Sequence, residues 1–129
     1  MILDTSAVIA ILRGEPEAER FSELIERDPA PKMSVANYVE AGVVMDAPRD
    51  PVMTRQLDQF LRIAQVELQP VTIEQAKLAR EAYRDFGRGS GHPARLNFGD
   101  CFAYALAKYA GEPLLFKGSD FSETDVELP

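Results

Sequence analysis

Short apolar runs, each followed by a much longer stretch with helical spacing, constrain this chain more than any other feature. Met1–Leu3, Lys32–Met33, Val66–Val71 and Leu114–Phe116 read as strands, with Val126–Leu128 as a short last one. The segments between them are too long and too amphipathic to be hairpin turns. Strands joined by helical crossovers pair in parallel, and a parallel sheet has to be covered on both faces. The expected fold is therefore α/β, a three-layer α/β/α arrangement around a short central parallel sheet. The chain has 129 residues and shows no internal repeat, low-complexity stretch or linker, so residues 1–129 are expected to form one domain.

Capping residues mark the helix boundaries. Thr5 or Ser6 is placed to cap a helix that runs to Leu12 and stops near Gly14. Pro16 suits the first turn of a second helix, whose Phe21, Leu24 and Ile25 share a face and which Pro29 and Pro31 end. Ser34 opens a third helix closed by Pro48. A fourth runs from about Val52 to Ala64, with Leu57, Phe60 and Leu61 on one side. Thr72 and Gln75 match a capping box for a fifth helix reaching about Phe86. Gly87–Pro93 reads as a flexible loop, and Asn97 caps a final helix through Ala110 that Gly111 terminates. The apolar faces at Phe21–Ile25 and Leu57–Leu61 are assigned to the core.

Composition narrows the chemistry. One histidine, His92, and one cysteine, Cys101, exclude a His/Cys zinc cluster and an internal disulfide. His92 lies in the Gly-rich loop, a poor frame for the base of a Ser-His-Asp triad. No apolar run approaches the roughly 20 residues that cross a bilayer. Asp4 interrupts the apolar opening and no basic segment precedes it, so no membrane association and a cytoplasmic location are expected. Fourteen basic against 21 acidic residues give a net charge of −7. Such a chain meets a polyanion only with help from metal ions, a second copy or another protein.

Acids at the carboxyl ends of parallel strands come first, because ligands bind there in open α/β sheets. Asp4 follows Met1–Leu3 directly, and with Thr5 and Ser6 available as caps it is free for chemistry. Glu40 is the one charged group in Ala36–Met45, and a carboxylate in apolar company needs a partner such as a metal ion. Asn37 lies on its face, one turn earlier. Asp100 falls at the third position of the helix capped by Asn97, where closing a capping box is as good a reason for an acid as catalysis. Asp120 follows the last long strand, with Asp125 in reserve; a turn-forming role suits either. Clustered carboxylates repel one another, and oxygen-only ligands select Mg²⁺ or Mn²⁺. Such a site suits hydrolysis of a phosphodiester.

The stretches MILDTSAVIAILRGEPEAERF, SVANYVEA, NFGDCFAYALAK and LLFKGSDF, in this order, resemble PIN-domain proteins, and more closely the VapC toxins of VapBC toxin–antitoxin systems. The resemblance covers nearly the whole chain. It implies a metal-dependent endoribonuclease acting on structured RNA such as transfer or ribosomal RNA, a fold that dimerises, and restraint by a VapB-like antitoxin. By motif, Asp4, Glu40, Asp100 and Asp120 match the family's four acids in turn, and Thr5 or Ser6 the supporting hydroxyl. Lys117–Ser119 departs from the Thr and further acid common before the last D-F pair. That departure is why Asp125 stays in reserve.

On this reading Asp4, Asp100 and Asp120 bind one Mg²⁺ or Mn²⁺, and Glu40 binds a second ion or orients the attacking water. Arg13, Arg88, Arg95 and Lys117 are candidate phosphate contacts, with Arg88 better read as a solvated surface residue. Tyr38, Tyr104 and Tyr109 are candidate base-stacking rings, with core packing as the default, and Cys101 is a buried small apolar group beside the site. Two other readings compete. A haloacid-dehalogenase-type phosphatase needs a second Asp two residues after Asp4, where this chain has Ser6. A non-catalytic PIN-like binding module predicts no cation binding and no growth arrest on expression.

Overall fold

In the computed structural model, which describes residues 1–129, four short strands form one sheet: β1 (Ile2–Leu3), β2 (Lys32–Ser34), β3 (Glu67–Gln69) and β4 (Leu114–Leu115). Their order is β3-β2-β1-β4 and every pairing is parallel. Six helices supply the crossovers: α1 (Thr5–Leu12), α2 (Ala18–Arg27), α3 (Val35–Asp46), α4 (Pro51–Ile63), α5 (Ile73–Phe86) and α6 (Phe98–Ala110). A 3-10 turn at Asp120–Glu123 follows β4. No helix is long and apolar enough to cross a membrane.

Period-two alternation divides the strand side chains between two cores. Leu3 and Leu115 join the α1–α4 side with Phe21, Ile25, Leu57 and Leu61, so both faces assigned to the core are buried there. Ile2 and Leu114 join the α5–α6 side with Ala79, Ala82, Leu106 and Phe121. The expected three-layer arrangement is thus formed. After β1 the chain winds one way to β2 and β3, then returns to place β4 on the other side of β1. The carboxyl ends of β1 and β4 flank the point where strand order reverses, which is where a crevice opens in this class of sheet.

Several boundaries differ from expectation, each for a local reason. Asp4, in extended conformation, caps α1 itself by accepting from the Ser6 amide, so neither Thr5 nor Ser6 is the cap. Pro16 precedes α2, because a turn closed by the Ala18 amide and the Glu15 carbonyl absorbs it. Val66–Val71 contracts to Glu67–Gln69 on the sheet edge, where only three residues find partners on β2. Val126–Leu128 forms no strand, since two-residue β4 offers it one contact, from the Leu114 amide to the Glu127 carbonyl. The Gly87–Pro93 loop is internally tied. A Gly87–Leu96 bridge closes its base, Ser90 Oγ donates to the Gly87 carbonyl at 2.6 Å, and His92 Nδ1 accepts from the Ala94 amide at 3.1 Å.

Candidate active site

Asp4 is 3% exposed and its two oxygens do different work. Oδ2 accepts from the Ser6 amide at 2.9 Å and holds the first turn of α1. Oδ1 is buried without a partner. Capping and an unpartnered oxygen therefore coexist in one side chain. Burial raises the Asp4 carboxyl from its ordinary value of 3.8 to about 7, and the charges of Asp100 and Glu40 push the same way against the Ser6 hydrogen bonds. The two hydroxyls next to it are engaged. Thr5 Oγ1 donates to the Asn37 carbonyl at 3.2 Å, and Ser6 Oγ accepts from the Lys117 amide at 2.9 Å, which ties α1 to the segment leaving β4.

Asn37 connects the second acid to the third. It is fully buried in α3, and its Nδ2 donates both to Glu40 Oε1 at 3.3 Å and to the Gly99 carbonyl at 3.0 Å. Its Oδ1 is another buried oxygen with no partner. Glu40 lies flat against Gly99, where any Cβ would overlap its carboxylate. Glycine at position 99 thus lets a helix N-terminus and a carboxylate share one space. Asp100 closes the capping box at 2.9 Å in both directions with Asn97, so its structural role is present as expected. Burial nevertheless raises its pKa, and the charges of Asp120 and Glu40 add to the rise while the Asn97 amide and Arg88 oppose it.

Asp120 starts the 3-10 turn, anchored by the buried Phe121 ring next to it, and faces Asp100 closely enough for its charge to be felt there. Asp125, the reserve, is elsewhere: it accepts from Tyr104 Oη at 2.7 Å and from Lys108 Nζ at 2.9 Å. Lys117 Nζ is engaged by Glu15 and by Glu17, the latter 3.4 Å away. Tyr38 and Tyr104 commit their hydroxyls to Asp58 and Asp125. Tyr109 is exposed at the far end of α6. Cys101 is buried beside Asp100, and burial pushes its thiol up to about 11, which leaves it an inert thiol at neutral pH. Two further residues named from the sequence lie by these acids. The position of Asn37 one turn before Glu40 was the signal for its bridging role. Arg88 is exposed, as its surface reading expected, and its charge reaches Asp100 from the loop after α5.

The charges of Glu40 and Asp100 therefore reach Asp4, and those of Glu40 and Asp120 reach Asp100, beyond the carboxyl ends of β1 and β4. These acids are not a closed cage: no three acidic, His or Cys side chains are drawn together tightly enough for a ready-made cation shell. Even so, the donors suit a hard divalent cation. All are oxygens, two of the buried ones, Asp4 Oδ1 and Asn37 Oδ1, lack partners, and the charges of neighbouring acids raise the pKa of Asp4 and Asp100, which a dication would relieve. Water can complete a Mg²⁺ or Mn²⁺ shell in such a site, because these ions retain several waters.

Comparison with known proteins bears on family and fold. The PIN domain family model matches residues 1–127. The chain is 54% identical over 127 residues to ribonuclease VapC28 of Mycobacterium tuberculosis, covering 98% of this chain and 96% of that protein. It is 49% identical over 126 residues to ribonuclease VapC42 of the same organism, with 98% and 96% covered. Among solved structures, M. tuberculosis VapC20, described as a Sarcin-Ricin loop cleaving toxin, superposes with a TM-score of 0.74 at 17% identity over 97% of this chain and 95% of that one. A toxin–antitoxin complex from Klebsiella pneumoniae gives a TM-score of 0.74 at 15% identity, covering 99% and 95%. These two show the fold.

Proposed function

The chain belongs to the PIN-domain family, among the VapC ribonucleases, and from that membership we propose that it is a divalent-cation-dependent endoribonuclease with Asp4, Glu40, Asp100 and Asp120 as its active site. The observation that supports the site best is the Asp4 Oδ1 atom, buried and unpartnered beside two further acids. Evolutionary relatives aside, an uncompensated buried carboxylate is destabilising unless something positively charged binds it.

In this reading residues 1–129 are one catalytic unit. Asp4, Asp100 and Asp120 would hold Mg²⁺ or Mn²⁺, which when bound supplies Lewis acidity for phosphodiester hydrolysis. Glu40, steadied by Asn37 Nδ2, orients the attacking water and accepts its proton, or helps to hold a second ion. Asn37 and Gly99 fix the distance between Glu40 and the α6 N-terminus, whose dipole favours the negative charge that gathers there. Arg88, whose charge reaches Asp100, is the basic group assigned to meet the substrate phosphate. No side chain forms a covalent intermediate: the water oxygen bonds to phosphorus as the P–O bond to the leaving ribose oxygen breaks, and that oxygen takes a proton from solvent.

The substrate class is structured RNA, a transfer or ribosomal RNA, met in the cytoplasm. The natural partner is a VapB-like antitoxin, a reading supported by the toxin–antitoxin complex of the same fold. Self-association as a homodimer would cover Val39 and Val43 of α3 and Val52 of α4, which are 61%, 65% and 55% exposed. The test is cleavage of total tRNA and rRNA by purified protein with Mn²⁺ or Mg²⁺, followed by mapping of the new ends. Cleavage should vanish with EDTA and in folded Asp4→Asn. Full activity in folded Asp100→Ala would remove the site from consideration.

A further inference from the structure

Phe98 opens α6 two residues before Asp100, and its ring is 78% exposed, the most exposed large apolar side chain in the molecule. It is not isolated. It meets Phe102 edge-to-face at 4.9 Å between centroids, and with Tyr83 these rings wall a groove of about 510 Å³ between α5 and α6. The groove exists because Ala76 and Ala79, on the facing side of α5, are too small to fill the space between the helices. An open aromatic slot of this kind accepts a planar ring.

Charge follows the same face. Lys77, Arg80 and Arg84 repeat at spacings of three and four along α5, so they share one side of it, and Arg80 and Arg84 form the rim of the groove. Arg88 extends the line beyond the helix to Asp100. Residues 77–95 hold five of the basic residues and only two acids, Glu81 and Asp85, a net +3 that leaves −10 on the rest of the chain. Arg84 is paired with Asp85 at 2.9 Å, whereas Lys77, Arg80 and Arg88 are exposed and belong to no ion pair. A basic line on an acidic protein, beside exposed rings, matches how single-stranded nucleic acid is held: phosphates on Lys and Arg, bases on aromatic faces.

We propose that the α5–α6 face is the track for an unpaired RNA segment flanking the scissile phosphate, with one base stacked in the Phe98–Phe102–Tyr83 groove and phosphates on Lys77, Arg80 and Arg88. The inference rests on the ribonuclease reading and adds to it that the substrate is unpaired next to the cut. A second copy of the chain fits this face less well. A two-fold contact sets a patch against itself, and here it would press the basic line onto its own image.

The experiment is fluorescence anisotropy with a labelled 12-nucleotide single-stranded RNA, on the full chain in EDTA, where binding is read without cleavage. Phe98→Ala should weaken binding by about 10-fold or more, the range for losing one base–aromatic stack, and Phe98→Trp should restore it. Lys77→Gln with Arg80→Gln should make the slope of log affinity against log salt shallower by about 1.4, at roughly 0.7 per phosphate contact. Tyr109→Ala, an exposed ring at the other end of α6, should leave binding unchanged. Unchanged affinity in folded Phe98→Ala overturns the proposal, as does absence of wild-type binding in 50 mM salt. A Phe98→Ala protein that binds RNA normally but sediments as a smaller species would hand the groove to a second copy. Wild-type protein that binds in this way yet cleaves nothing with Mn²⁺ would end the nuclease reading and leave the track standing.

Discussion

At the amino end of the sheet, Glu112 accepts from Lys32 Nζ at 2.8 Å and from the Met1 amine at 2.7 Å. At the carboxyl end, Asp4 accepts one backbone amide and meets no cation. The electrostatic outcomes are opposite. Partial burial pushes Glu112 up, but its hydrogen bonds and the two positive charges hold it below the usual carboxylate range. Burial and the neighbouring acids drive Asp4 to about 7. One end spends its acids on stability, and the other leaves them frustrated in a crevice. Local frustration of that sort is what marks a binding site in a fold otherwise consistent from level to level.

The largest effect expected from this contrast is on catalysis. Asp4→Asn keeps the cap, because Asn serves at that position as well as Asp, but removes the charge. RNA cleavage with Mn²⁺ should fall on the order of 10³-fold or more, comparable to losing a group that holds transition-state charge. Glu112→Gln, at the other end, should leave cleavage within a few-fold. Equal losses in single-turnover assays would erase the distinction between the two ends.

Next in size is the pH dependence of stability in EDTA. The folded-state pKa of Asp4 is raised, so its contribution is fully present below its ordinary value of 3.8 and is lost as pH climbs to about 7. At about 1.36 kcal/mol per unit the loss is up to about 4 kcal/mol. Glu112 is lowered, so what it contributes is present above its ordinary value of 4.5 and lost as pH falls through its folded-state value. The metal-free protein should therefore be most stable in mildly acidic buffer and melt at lower temperature by pH 7.5. Asp4→Asn should flatten the neutral limb, and Mn²⁺ should lift wild type there while leaving Asp4→Asn nearly unmoved. A wild-type Tm that rises steadily from pH 4 to 7.5 without metal would contradict the frustration assigned to Asp4.

What the sequence disclosed follows the reach of each cause. Asp4 was legible because a strand of three apolar residues ends at it, and Asp100 because Asn97 caps its helix three residues earlier. Both are local rules. Sequence motif put Asp120 first with Asp125 in reserve, but the difference in their surroundings was not legible. It depends on Phe121 entering the α6-side core and on Tyr104 and Lys108, which lie one turn apart on α6 and capture Asp125. The neighbours of Lys117 and Arg88 were hidden for a similar reason: Glu15 and Glu17 lie on the α1–α2 turn beside Lys117, and the charge of Arg88 reaches Asp100 from the loop after α5. Partners contributed by distant elements carry no period in the chain.

Gly99→Ala probes the crevice at a third level. The added methyl would overlap the Glu40 carboxylate, so either Glu40 or the first turn of α6 has to shift. Overpacking of this kind costs about 1–3 kcal/mol. Cleavage should fall by about 10-fold or more, since displacement near the reacting atoms is amplified in rate. Glu40→Gln would not relieve the overlap, because Gln is as large as Glu; a Glu40→Ala background would. Restored stability of Gly99→Ala in that background, measured by urea denaturation, is the expected double-mutant result, and simple additivity would show that the two residues do not share the space.

The smallest effect belongs to Asp125, and it sharpens the contrast because Asp125 is close to Asp120 in sequence. The Tyr104 hydroxyl, then Lys108, hold its carboxyl below the usual range, so its charge is already satisfied by protein groups. Its side chain is 58% exposed, and solvent screens the Lys108 pair. Asp125→Asn should therefore cost about 1 kcal/mol at neutral pH, visible as a small decrease in urea midpoint, with the penalty shrinking in acid as the wild-type carboxylate protonates. Cleavage should match wild type, while Asp120→Asn should show the reverse pattern, impaired cleavage at nearly unchanged stability. If Asp125→Asn abolishes cleavage and Asp120→Asn does not, the fourth acid has been taken from the wrong side of Phe121, and the segment after β4 has to rearrange when substrate binds.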